Sequence, residues 1–160
     1  MTGPAGMTTT GIKEKPVIKI IKKKTAALPA YETRGAAGMD LRANLENDII
    51  IPPLGRMKIP TGLFMEIPEG YEGQIRPRSG LAANYGITVL NAPGTIDSDY
   101  RGEVQIILVN LGSEPYTVKN SDRIAQLVIA PVYRAEITET DSLEASSRGQ
   151  GGFGSTGTGG

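Results

Sequence analysis

The stretch Gly94–Glu103 (GTIDSDYRGE) brings Asp97, Asp99 and Glu103 together within one short hairpin-like segment. Aspartates titrate near ~3.9, so at neutral pH such a group is ionised and can accept a proton from water. The same residues also suit a polar turn whose aspartates bond their own backbone. Arg76-Pro77-Arg78-Ser79-Gly80 sets two guanidiniums and a hydroxyl at the entry to a short helical turn. Helix-start amides and an arginine fork together suit an anion. The alternative is a solvated turn with Ser79 as N-cap. Ala36–Leu41 (AAGMDL) places one acid, Asp40, among small residues at a strand start, for chemistry or for close packing around Gly38.

Arg148–Gly160 (RGQGGFGSTGTGG) carries seven glycines in thirteen residues. Such a segment cannot bury enough surface to order alone. It is either a flexible tail or an arm whose amides wrap a polyanion, with Arg148 adding charge and Phe153 a stacking face. Gly149, Gly151 and Gly154 also match the letters of the dinucleotide fingerprint. That fingerprint requires a strand before it and a helix after it, and only six residues follow Gly154, so the match is rejected.

The composition removes whole classes of chemistry. With no histidine and no cysteine, a Ser-His-Asp hydrolase, a histidine-based zinc enzyme, a disulfide and a thiolate metal site are all excluded. Any catalysis falls to carboxylates, hydroxyls, arginines and a recruited metal. Lys+Arg and Asp+Glu are both 17, so no net charge draws the chain to nucleic acid or membrane. The absence of cysteine suits a reducing cytoplasm, with an organellar or nuclear location left open. Residues 1–15 lack an apolar run and read as a disordered extension rather than a secretory signal.

The elements that must hold these groups are short. Between scattered glycines and prolines lie runs rich in β-branched residues: Pro16–Lys22, Ile49–Ile51, Arg56–Ile59, Leu63–Ile67 and Glu72–Ile75, then Ile87–Leu90, Glu103–Asn110, Tyr116–Val118 and Arg123–Tyr133. Many short strands with turn signals between them predict an all-β sandwich or barrel. A single helical turn or two fits near Ser79–Asn84. Glu103–Val109 and Ile124–Pro131 carry apolar residues on both faces, which predicts burial on both and therefore a second subunit. The organisation expected is an extension over 1–15, a β domain over 16–147 and a mobile glycine-rich arm over 148–160.

Taken in order, AAGMDLRA (Ala36–Ala43), RPRSGLA (Arg76–Ala82), NAPGTIDSDYRGE (Asn91–Glu103), DRIAQLVI (Asp122–Ile129) and RGQGGFGSTG (Arg148–Gly157) resemble the five motifs of the trimeric dUTPase family. The likeness spans residues 17 to 157. It implies a jelly-roll-like β-barrel assembled as a homotrimer, with sites between subunits closed by a neighbour's C-terminal arm. It also implies hydrolysis of dUTP to dUMP and diphosphate.

Asp97 matches the family's general base, acting on a water that attacks the α-phosphorus. Arg78 and Arg148 would neutralise phosphate oxygens and Gln126 would donate to them. Ser79 would face the α–β bridging oxygen, and Asp40 would act through ordered water. Mg2+ would be held through the substrate phosphates and water, with no direct protein ligand. Asn91, Gly94, Thr95 and Ile96 would read the uracil edge, with Gln105 nearby. Tyr100 would lie against the deoxyribose, and Phe153 would stack over the base. Gly80, Gly154 and Ser155 complete the substrate-contacting set.

Two other readings share the fold. A dCTP deaminase would carry tryptophan at the position of Tyr100 and glutamate at the position of Ile107, and neither is present. A non-catalytic nucleotide-binding β-trimer would be expected to have lost Asp97, Ser79, Arg148 or Phe153, and all four are retained.

Overall fold

A computed structural model of the chain describes residues 15–152. Its elements run β1 (Lys19–Lys22), β2 (Met39–Arg42), β3 (Ile49–Ile51), β4 (Arg56–Glu66), β5 (Tyr71–Arg76), α1 (Ser79–Tyr85), β6 (Ile87–Val89), β7 (Gly94–Ile96), β8 (Glu103–Asn110), β9 (Tyr116–Val118) and β10 (Arg123–Pro131). They form two four-stranded antiparallel sheets, β1-β4-β8-β6 and β2-β10-β5-β7, and the pair β3-β9. The all-β jelly-roll-like class holds, although the sheets do not close into a continuous barrel.

One apolar core joins all three sheets. Ile59, Ile106 and Leu108 come from the first, Leu41 and Leu127 from the second, and Ile51 and Val118 from the third, each essentially inaccessible to water. Burying side chains of this size contributes roughly 1.5–3 kcal/mol apiece before the entropy of ordering is subtracted.

The sequence divides Arg56–Ile67 into two strands at Pro60, whereas the chain runs through as one. β4 pairs with β8 from Arg56↔Val109 to Pro60↔Gln105, then shifts register before Phe64↔Glu103. Gly62, at φ 69°, supplies the backbone turn of that bulge. A bulge is one of the few places in a sheet where proline and a left-handed glycine are both accommodated.

Strands β8 and β10 show the apolar second face that their composition predicts. Val104, Ile106 and Leu108 point into the core, while Ile107 opposite them is only half-buried. On β10, Ile124, Ala125 and Leu127 are buried, and Val128, Ile129 and Ala130 are half-buried. Beyond Pro131 the described chain has no regular strand or helix, and Tyr133, Ile137 and Leu143 are almost fully exposed. Among the described residues no helix is long and apolar enough to cross a membrane.

Candidate active site

The hairpin from β6 to β8 builds the first half of the site. Asn91 follows β6, a cis Ala92–Pro93 bond turns the chain, and β7 pairs with β5 through Gly94↔Ile75, Thr95↔Gln74 and Ile96↔Gly73. A Cβ on Gly94 would lie 3.2 Å from Asn91 Nδ2, so glycine lets the Asn91 amide sit close to the backbone. The loop after β7 is stapled to itself. The Tyr100 amide donates to the Asp97 carbonyl (3.2 Å), and Arg101 Nη1 donates to the carbonyls of Ser98 (2.7 Å) and Tyr100 (3.0 Å).

The result is a concavity of about 480 Å³ lined by Asn91, Thr95, Asp97, Tyr100 and Gln105, with Gly94 and Ile96 beside them. Asp97 is exposed and is in no salt bridge among the described residues. Glu103 is not equivalent to it. The Glu103 carboxylate is held by Gly62 N (2.8 Å) and by Lys23 Nζ (3.1 Å), so it serves the β4 bulge. Of the sequence's acidic trio, Asp97 and Glu103 both line this concavity and Asp99 does not, and of the two lining carboxylates only Asp97 is in no salt bridge among the described residues.

The second half lies where β2, β10 and the start of α1 meet. Arg78, Ser79, Gly80, Asp40 and Gln126 line one concavity of about 320 Å³. Asp40, with its side chain only 14% exposed, pairs with Arg78 Nε at 3.4 Å and Arg123 Nη1 at 3.1 Å. Arg78 Nη1 also donates to the Arg123 carbonyl at 3.0 Å. The two contacts of Arg78, with Asp40 and with the Arg123 carbonyl, fix its side chain, and a planar guanidinium so held still has N–H groups for an anion.

Gln126 Nε2 donates to the Pro77 carbonyl at 2.9 Å, leaving its other N–H available. The Ser79 hydroxyl makes no cap: the N-cap residue is Arg78, and no side chain bonds the free amides. Arg76 leaves the site altogether, donating to Gln74 Oε1 of its own strand from Nε (3.1 Å) and Nη2 (2.6 Å).

These halves share no lining residue in the single chain. Arg148 joins neither. It lies on the exposed C-terminal segment with Nε donating to the Gly151 carbonyl at 2.7 Å. Phe153, Gly154 and Ser155 lie outside the described residues. Among the lining residues that sequence reasoning did not assign are Lys58 in the first concavity, and Gly38, Glu32, Thr33 and Arg123 in the second. Arg123 stood in view, three residues before Gln126 in the same segment. Lys58 is a lone lysine on an exposed part of β4, and nothing in its neighbourhood marks it.

Residues 24–157 match the dUTPase family model. The chain belongs to the dUTPase family. It is 59% identical over 131 residues to the deoxyuridine 5'-triphosphate nucleotidohydrolase of Anaplasma marginale, covering 82% of this chain and 89% of that one. To the enzyme of the same name from Cytophaga hutchinsonii it is 54% identical over 153 residues, with 96% and 95% covered.

Among solved structures, it is similar to a Staphylococcus bacteriophage 80alpha dUTPase with dUPNHPP. The TM-score is 0.76, with 27% identity and coverage of 88% of this chain and 98% of that one. A mutant of the same phage dUTPase with dUpNHpp aligns with a TM-score of 0.79 at 25% identity, over 88% and 98% of the two chains. As a dUTPase-family domain, the chain carries its acidic hairpin and its arginine–serine turn on two separate concavities.

Proposed function

We propose that the chain is a dUTP diphosphatase that hydrolyses dUTP to dUMP and diphosphate, keeping uracil out of DNA and supplying dUMP for dTMP synthesis. The observation that carries this reading is the Asp97 carboxylate, exposed on the wall of the concavity that Asn91, Thr95, Tyr100 and Gln105 also line. That arrangement suits a base reader, a sugar stop and a general base acting on one nucleotide.

Asp97 orients a water and accepts its proton as the water oxygen bonds to the α-phosphorus. The bond from that phosphorus to the α–β bridging oxygen breaks, and diphosphate leaves. A positioned base of this kind is worth roughly 10²–10⁴ in rate. Ser79 faces the bridging oxygen as charge develops on it. Arg78, fixed by Asp40 and the Arg123 carbonyl, meets phosphate oxygens together with Gln126. Asp40 holds Arg78 in place, beside the role through ordered water that the resemblance implies. Asn91 with Gly94, Thr95 and Ile96 reads the uracil edge, and Tyr100 excludes a ribose 2′-hydroxyl.

Mg2+, when bound, would supply charge neutralisation for the triphosphate. Among the described residues no group of three or more Asp, Glu, His or Cys could cage a metal ion. That donor set fits an ion carried in by phosphates and water rather than by dedicated carboxylates.

The two half-sites meet across subunit boundaries in a homotrimer, closed by residues 148–160 of a neighbouring chain, with Arg148, Phe153, Gly154 and Ser155 on the nucleotide. This is supported by the separation of the concavities on one chain, by the half-buried apolar face of β8 and β10, and by the exposure of Ile137 and Leu143. The cysteine-free composition fits a cytoplasmic enzyme. Product analysis of purified protein with Mg2+ and dUTP, dTTP or UTP tests the whole reading. dUMP and diphosphate from dUTP, with dTTP and UTP scarcely consumed, is the expected result. dUTP bound but unhydrolysed would make this a binding module.

A further inference from the structure

We infer that Gly102 sets the sugar selectivity of the site by providing the seat on which the Tyr100 ring lies. The inference rests on the reading that Tyr100 faces the deoxyribose, and it assigns a role to a residue that touches no substrate. A Cβ built on Gly102 would overlap Tyr100 Oη, and would stand 2.5 Å from Cζ and 2.9 Å from Cε2 of the same ring. These atoms belong to a rigid ring, so no small rotation of a side-chain tip relieves the overlap. Gly102 lies outside the left-handed region. Its backbone therefore accepts alanine, and the three atoms nearest to the added Cβ all belong to Tyr100.

The other side of the ring's position is equally fixed. Tyr100 Oη donates to the Glu103 carbonyl at 3.1 Å. Glu103 cannot follow a displaced ring, because its carboxylate is tied to Gly62 N at 2.8 Å and to Lys23 at 3.1 Å. The next residue is tied as well, with Thr61 Oγ1 donating to the buried Val104 carbonyl at 2.6 Å. The Tyr100 ring is thus folded back over its own hairpin between a bare Cα and an immobile acceptor. It remains 45% exposed along the wall of the nucleotide concavity. A methyl group at position 102 lifts the ring, breaks the hydrogen bond and opens the wall at the place where a 2′-hydroxyl is refused.

The test compares kcat/KM for dUTP and for UTP in wild type, G102A, Y100A and the double variant, each at the same oligomeric state. G102A is expected to lower the dUTP-over-UTP ratio by about tenfold, mainly through a gain with UTP, the scale on which a steric pocket discriminates. The double variant is expected to match Y100A, because the glycine acts only through the ring. If Y100A shifts the ratio while G102A leaves it at the wild-type value, the Gly102 inference is overturned and the reading of Tyr100 stands. If Y100A itself leaves the ratio unchanged, the reading of Tyr100 fails and takes the inference with it. Should G102A not assemble, the double variant must still do so and give the Y100A ratio; failure on either point overturns the inference.

Discussion

Alanine at Gly38 would test how firmly the phosphate-side concavity is built. Its Cβ would stand 2.5 Å from Gln126 Oε1 and 3.2 Å from both Cβ and Cδ of that residue. Gln126 cannot slide away, because its strand position is paired on both sides, with Asp40 of β2 and Arg76 of β5. The remaining escape is rotation of the carboxamide, which gives up the 2.9 Å bond to the Pro77 carbonyl.

Losing that bond costs about 1 kcal/mol, and residual overpacking adds ~1–2 kcal/mol. Restricting the unfolded chain by replacing glycine returns about 0.4–1 kcal/mol. The net destabilisation should therefore be near ~1–2 kcal/mol, readable as a lower denaturant midpoint at fixed protein concentration. On the proposed role of Gln126, the turned amide also no longer donates to phosphate. A hydrogen bond to a charged group is worth roughly 1.5–3 kcal/mol, so KM for dUTP should rise by at least about tenfold. In G38A/Q126A the clashing Oε1 and Cδ are gone, so the midpoint should regain the overpacking part of the loss, while the Pro77 bond stays absent and KM stays high. A G38A protein with wild-type midpoint and wild-type KM would refute the packing argument.

Removing residues 148–160 should leave a folded oligomer, by gel filtration and circular dichroism, with little dUTP turnover; a fully active truncate would show that the arm is not needed. Gly86 closes α1 in a left-handed conformation (φ 69°) and a Cβ there would meet the Gly112 amide nitrogen at 2.5 Å. G86A should cost about 1–3 kcal/mol in a denaturant titration, with kcat per folded subunit unchanged. The Tyr116 phenol is pushed above its ordinary value, first by burial and then by the Asp122 charge. Its contribution to stability is complete below about pH 10 and is lost as pH rises through the higher folded value. Y116F should therefore lose less stability than wild type over that alkaline range, and parallel curves would contradict this.

The parts of the site that lie within one short segment were readable in the sequence. Asn91, Asp97 and Tyr100 share a concavity because ten residues of hairpin carry them, and Arg78 and Ser79 adjoin because the chain turns there. Contacts made across strands were not readable. Asp40 and Arg123 are 83 residues apart in the chain, yet they form an ion pair in the wall of the second concavity. Spacing alone cannot report it. Local chemistry misled at two points. Pro60 reads as a strand break until the bulge with Gly62 accommodates it. Arg76 reads as a second anion contact until its own strand neighbour Gln74 captures it. The apolar second faces of β8 and β10 were visible as composition, and the single chain leaves them half-buried.

Hydrolysis in oxygen-18 water under single-turnover conditions, with wild type and Asp97→Asn side by side, tests the central claim most directly. The account predicts label in dUMP and none in diphosphate, because water attacks the α-phosphorus. It also predicts that the asparagine variant, which keeps the shape but loses the proton acceptor, is slower by about 10²–10⁴. Label in diphosphate would place the attack on the β-phosphorus, and an Asp97→Asn protein turning over at the wild-type rate would remove Asp97 from the reaction.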